Sequence, residues 1–209
     1  DLRADCHSVT VSNCMFNGNR GGSNTPEFGI RVAYVANCSN VTVMGSNFDL
    51  YRCEHQVILT NNDCKGFNFI GNYIEIRNDN VSNNALALFH GSGISVSGNR
   101  ITTASNVTDY NINLGSHCES VSITGNFFSG SGVTACVRIA NGCENVFVAG
   151  NESGSWAPLV NNQNPADAGN SCYIEDGRIV TQKISTKLVK HQGSGDLVIS
   201  GGAITVSGS

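Results

Sequence analysis

The residues best suited to chemistry in this chain are two carboxylates and the histidine and aromatic side chains near them. Glu54 is followed by His55, and Asp109 by Tyr110. Each pair stands just ahead of an apolar stretch, at residues 57–60 and 112–114. Two carboxyl groups roughly 6.5–9.5 Å apart can cleave a glycosidic bond with inversion, one as general acid and the other as base to a water. In that reading Glu54 is the acid and Asp109 the base, with His55 and His90 on the same side. Tyr51, Phe89, His90, Tyr110 and Trp156 are the candidates to hold a sugar, because a ring offers a flat apolar face. The plain alternative is that Glu54 and Asp109 are solvated turn residues and that Trp156 anchors its own loop.

Other reactive groups are less promising. Glu175 and Asp176 are adjacent, so in a strand they would point to opposite faces. Glu119 and Glu144 share one turn position, which suggests a solvated corner or a weak cation site. His7, His117 and His191 read as surface turn residues. The nine cysteines contain no C-x-x-C pair, so no zinc spacing is present. GSGDLVI, from Gly193, is a lone partial match to a calcium-binding nonapeptide. No Ser-His-Asp order, P-loop or dinucleotide fingerprint occurs. No cofactor and no metal are therefore expected.

Whether Glu54 and Asp109 can act together depends on the elements that carry them, and those elements repeat. The phrase CESVSITGNFF begins at Cys118. Versions of it begin at Cys6 (CHSVTVSNCMF), Cys38 (CSNVTVMGSNF), Cys64 (CKGFNFIGNYI), Ser92 (SGISVSGNRI) and Cys143 (CENVFVAGNES), 25–32 residues apart. A degenerate copy, SGDLVISGGAI, begins at Ser194. A fixed period of this length signals a solenoid. Each period holds an alternating strand after the turn residue, such as residues 121–123. A shorter strand follows the Gly-Asn step, carried by Phe48, Ile74, Ile101 and Phe128. A third strand precedes the next turn. Helical periodicity is nearly absent. The expected fold is all-β: a single-stranded, right-handed parallel β-helix of about eight coils of about 26 residues. Residues 1–183 form the helix, with a loop or insertion at 152–171, and 184–209 form final coils or an exit to a further β module. Coils stack at about 4.8 Å, so positions two coils apart lie about 9.6 Å apart. That places Glu54 and Asp109 at the edge of the inverting range.

Stacking also explains the homotypic positions. Cys6, Cys38, Cys64, Cys118 and Cys143 form one column. Free Cys packs as a small hydrophobe, so a reduced structural ladder is favoured, with disulfides between neighbouring rungs as the alternative. Asn72, Asn99, Asn126 and Asn151 form another, with Asn47 and Asn13 offset by one. Asn tolerates a left-handed backbone at a bend, and stacked amides can hydrogen-bond along the rod. On the strand before the turn, the outward positions read Ala33 and Val35, Val57 and Leu59, Ala87 and Phe89, Asn111 and Asn113, Cys136 and Arg138. An exposed apolar stripe marks an interface or a groove. A trimer contact, a saccharide groove and cover by further sequence are the three readings.

Charged residues are 13% of the 209-residue chain and the net charge is −4. There is no basic footprint for nucleic acid, and no apolar run approaches the roughly 18 residues of a membrane span. Asp1 falls just before a repeat phrase, so the chain reads as a fragment of a longer polypeptide. Coils built on turn, strand, Gly-Asn and strand, with stacked Asn and Cys columns, resemble the pectin-lyase-like right-handed β-helix superfamily. Low charge, Gly/Ser/Thr/Asn richness and the closing GSGDLVISGGAITVSGS resemble bacteriophage tailspikes and tail fibres within it. That resemblance implies a homotrimer in the virion tail, assembled in the host cytoplasm beside other tail proteins and acting outside the cell on host surface polysaccharide. Many such proteins cleave the glycan. They share no universal catalytic motif, so the resemblance assigns no residue. A polysaccharide hydrolase or lyase of the same fold and a bacterial β-helical surface adhesin are the alternatives. Sparse carboxylates, and no cluster of Lys or Arg with three Asp, count against a calcium-dependent lyase.

Overall fold

The structure, a computed structural model, describes residues 6–17, 28–32, 38–49, 55–59, 64–76, 84–103, 110–130, 132–154, 159–163, 172–174 and 179–181. Of 17, 28–32, 55–59, 172–174 and 179–181 it describes the backbone alone. Among the described residues there is no helix, and every paired strand is parallel to its partner.

The chain visits three sheets in turn and then returns to the first, which is the winding of a parallel β-solenoid. The first sheet stacks Thr10–Ser12, Ser39–Met44, Lys65–Ile70, Gly91–Ser97, Cys118–Thr124, Glu144–Ala149 and Cys172–Ile174. The second stacks Met15–Asn17, Asn47–Asp49, Tyr73–Ile76, Arg100–Thr103, Phe127–Gly130 and Glu152–Ser153. The third stacks Phe28–Val32, His55–Leu59, Asn84–Leu88, Tyr110–Leu114, Ala135–Ile139, Val160–Asn162 and Ile179–Thr181. Among the described residues the sheets thus hold seven, six and seven strands, fewer than the eight coils expected. The three coils from Gly91 to Asn162, and the coil before them from Lys65 to Leu88, have side chains described on all three strands. Within 152–171, read from the sequence as a loop, Glu152–Ser153 and Val160–Asn162 continue the second and third sheets.

Alternation decides what each sheet buries. In the first sheet Val41, Phe67, Ile94, Val121 and Val146 form one inward column, and Val43, Phe69, Val96, Ile123 and Val148 the next, all at 0–1% exposure. The second sheet contributes Phe48, Ile74, Ile101 and Phe128, and the third Leu86, Ile112 and Val137 with Leu88, Leu114 and Ile139. Phe16 lies flat on Phe48, with centroids 4.6 Å apart. Stacked columns of like shape let each rung bury the apolar face of its neighbour, which no single coil could do alone.

The corner between the first and second sheets is the Gly-Asn step, and its two residues divide the work. The glycine, not the asparagine, is left-handed: Gly45, Gly71, Gly98, Gly125 and Gly150 have φ between +56° and +62°. A Cβ at Gly71, Gly98, Gly125 or Gly150 would meet nothing within 4 Å. The backbone conformation, not lack of space, therefore selects glycine there. In the first coil Asn13 holds the same place with φ +53°, as its short polar side chain permits. The expectation that the column asparagines themselves turn the corner is corrected: Asn72, Asn99, Asn126 and Asn151 follow the glycine and serve as hydrogen-bonding groups.

Asn72 donates its backbone N–H and its Nδ2 to Asn99 Oδ1, at 2.8 and 3.1 Å. Asn99 does the same to Asn126 Oδ1 at 3.0 and 2.9 Å, and Asn126 to Asn151 Oδ1 at 3.0 and 2.9 Å. Each Nδ2 also donates across the coil interior, to Val43, Phe69, Val96 and Ile123 carbonyls in turn. The column continues upward through Ser46, whose N–H donates to Asn72 Oδ1 at 2.9 Å, and not through Asn47.

The cysteine column carries a correction of one residue. Gly91, not Ser92, stands in register with Cys118, and Ser92 pairs with Glu119 and Lys65. Cys38, Cys64, Cys118 and Cys143 are at 0–1% exposure and Cys6 is half-buried, all as thiols. Cys118 Sγ donates to Leu88 O at 3.2 Å and Cys143 Sγ to Gly115 O at 2.9 Å. Burial, with Cys38 adding to it, pushes the Cys64 thiol up to about 12. The hydrogen bond to Cys143, then burial, pushes Cys118 up as well. That bond shifts its other partner the opposite way, holding the Cys143 thiol below its ordinary value. Cys64 and Cys118, enclosed and pushed up, are packing groups and not nucleophiles.

Candidate functional site

Glu54, Asp109, Tyr51 and Trp156 lie outside the described residues. His55 opens its third-sheet strand, in register with Phe28 and Asn84. Tyr110 opens another strand of that sheet. Its N–H donates to Asn84 Oδ1 at 3.2 Å, and the Arg138 guanidinium lies 5.5 Å from its ring centroid. Phe89 and His90 follow the far end of the same sheet's strands, about 16 Å along from the Tyr110 end at strand rise. The structure therefore does not gather these aromatic candidates at one point.

Phe89 lies against Gly115 on the next coil, where a Cβ would strike its ring. His90 stacks on His117, with centroids 5.4 Å apart and planes within 10°. The two rings share a corner column, each on a left-handed residue, with φ +60° and +63°. Burial, then the charge of His117, holds the His90 imidazole below its ordinary value of 6.5. His90 Nδ1 is buried without a hydrogen-bond partner. His117 is exposed in a turn, as expected, and its ring forms half of a stack with His90.

The outward apolar stripe on the third sheet is corrected in two ways. Val57 and Leu59 stand in register with Leu86 and Leu88, the residues read as inward, so the outward readings of Val57 and Leu59 and of Ala87 and Phe89 do not share one register. Of the remaining positions that are described, Ala87, Asn111, Asn113 and Cys136 are only 0–7% exposed, and Phe89 and Arg138 are half-buried. Ala33 and Val35 lie outside the described residues. Arg138 lies across this face, donating to Asn113 Oδ1 at 3.2 Å and to Gln163 Oε1 at 3.0 and 2.9 Å. Asn111, fully buried between strands, has no partner for either amide atom. This face is closed, not an open stripe.

Two other faces are open. On the first sheet, Thr10, Thr42, Asn68, Ser95 and Ser122 make an outward polar column, with Asn68 Nδ2 donating to Thr42 Oγ1 at 3.4 Å. Glu119 and Glu144 pair in register, both exposed. On the second sheet the outward column runs Asn47, Tyr73, Arg100, Phe127 and Glu152, and the column beside it holds Asp49, Glu75, Thr102 and Ser129. Arg100 lies 5.5 Å from the Phe127 ring centroid, Tyr73 Oη donates to Glu75 Oε2 at 3.4 Å, and the Thr102 and Ser129 hydroxyls are 2.9 Å apart. The sequence carried a signal for this face: YIEI, RITT and FFSG alternate about their buried Ile74, Ile101 and Phe128, which turns Tyr73, Arg100 and Phe127 outward. Among the described residues no group of three or more His, Cys, Asp or Glu side chains is placed to hold a metal ion. Comparison with protein-family models, curated proteins and solved structures finds no match.

Proposed function

We propose that this chain is a β-solenoid segment of the pectin-lyase-like kind from a phage tailspike or tail fibre. In this reading it assembles as a homotrimer with other tail proteins, acts outside the cell in the virion tail, and binds polysaccharide on the host surface. The observation that carries the reading is the pairing of a rigid rung-stacked rod with an outer face of mixed polar, charged and aromatic side chains. A rod with regular spacing presents the same kind of contact at each step, which suits a polymer with a regular repeat. Net charge of −4 and the scarcity of cations fit a neutral glycan better than a polyanion.

Adsorption of the labelled protein to bacterial cells tests the reading. Saturable adsorption to some strains, lost on mutants of those strains that lack surface polysaccharide, is the expected result. Adsorption that persists on the stripped cells contradicts it. New reducing ends in the same incubations distinguish cutting from holding, and their loss in Glu54→Gln and Asp109→Asn would assign the cutting to that pair. Light scattering checks the trimer, and a monomer at micromolar concentration contradicts it.

A further inference from the structure

We infer that the glycan lies along the outer face of the second sheet, on the line Tyr73, Arg100, Phe127; the inference rests on the polysaccharide-binding reading above. These residues occupy successive rungs of one outward column, so Tyr73 and Phe127 stand two rungs, about 9.6 Å, apart. Arg100 is exposed between them and leans on the Phe127 ring, 5.5 Å from its centroid. Beside them Glu75, held by the Tyr73 hydroxyl at 3.4 Å, and the hydroxyls of Thr102 and Ser129 supply acceptors and donors.

The chemistry of this face selects its occupant. The strands' backbone groups are committed to their sheet neighbours on each side, so the face cannot take an added peptide strand. A polyanion would gain Arg100 but meet Glu75 and the exposed Glu152. A neutral, hydroxyl-rich chain matches the mixture. Its sugar rings can lie against Tyr73 and Phe127, while its hydroxyls donate to Glu75 and accept from Arg100. Running parallel to the rod axis, such a chain meets one rung after another.

The test uses immobilised, purified bacterial surface polysaccharides and three proteins: the wild type, a Tyr73→Ala/Arg100→Ala/Phe127→Ala variant, and a Thr42→Ala/Ser95→Ala control on the first-sheet face. All three side chains on the tested face point outward, and an unchanged melting temperature and circular dichroism spectrum qualify the variants. If the triple variant unfolds, Arg100→Ala alone takes its place. The expected result is binding by the wild type and the control, and a loss of roughly tenfold or more in the face variant. Wild-type binding that the face variant retains overturns the location while leaving the polysaccharide reading in place. Failure of the wild type to bind any of the polysaccharides overturns both. Binding of a poly-dT oligonucleotide that depends on the same residues would also overturn the proposed occupant.

Discussion

Asn99 is 1% exposed, yet its amide makes four hydrogen bonds. Its Oδ1 accepts from Asn72 twice, and its Nδ2 donates to Phe69 O and Asn126 Oδ1. Asn99→Ala would strand the Asn72 N–H and the Phe69 carbonyl in the interior. Each buried polar group left unpaired costs about 1–3 kcal/mol, so denaturant unfolding should show a loss of about 3 kcal/mol or more. A loss under about 1 kcal/mol would mean that the column does not hold the corner. His90 gives a pH-dependent counterpart. Its folded value is held below the unfolded 6.5 by burial and by His117. As pH falls through about 6.5, the unfolded chain takes up a proton that the folded chain resists, so stability decreases. Melting temperatures between about pH 8 and 5 should therefore fall towards acid, and His90→Asn, which suits the left-handed backbone, should flatten the decline. An equal decline in the variant would exclude His90 as the source. The sequence made the Asn and Cys columns legible, since their residue types repeat in phase. The His90–His117 stack was hidden because the copy beginning SGISVSGNRI was aligned on Ser92 when Gly91 holds the turn place, a slip of one residue that separates the two histidines.

At the level of the element, strand alternation was readable almost everywhere, because a half-buried strand alternates whatever its neighbours do. What alternation cannot tell is which face other parts of the chain cover. Ala87, Asn113 and Cys136 look like surface in a one-strand view, and they are buried. A shift of one residue exchanges the faces of a strand, and the register of Val57 with Leu86 and of Leu59 with Leu88 differs by one residue from the outward reading. Corners are governed by backbone conformation, and they yield a prediction of their own. At Gly98 the φ is +62° and a Cβ meets nothing within 4 Å. A β-branched residue there should cost the left-handed penalty, about 1–2 kcal/mol, whereas Gly98→Asn should cost less, as Asn13 already occupies the equivalent corner. Equal destabilisation by Gly98→Val and Gly98→Asn, measured by chemical denaturation, would contradict this explanation of the glycine column.

Across the whole molecule, burial is not uniform from coil to coil. Val9, Val11, Phe16 and Cys6 of the first coil are only partly buried, while Val41, Val43, Phe48 and Cys38 directly beneath them are at 0% exposure. In a solenoid each rung is stabilised by its neighbours. Hydrogen exchange should therefore open the first coil well before residues 91–139, and protection that is equal in both would argue against neighbour-by-neighbour stabilisation. The solenoid was legible in the chain because its period writes itself into the residues. The proposed glycan face was only half legible: strand alternation turns Tyr73, Arg100 and Phe127 outward, but alternation does not say which outward face meets a ligand. The most direct measurement is a calorimetric titration of the protein with a host-surface polysaccharide to which it adsorbs, at about 0.05 and 0.5 M salt. A neutral chain on a mixed-charge face should bind saturably with nearly the same affinity at both, since few ions are displaced. No heat of binding, or an affinity that collapses at the higher salt, would contradict a neutral glycan as the ligand.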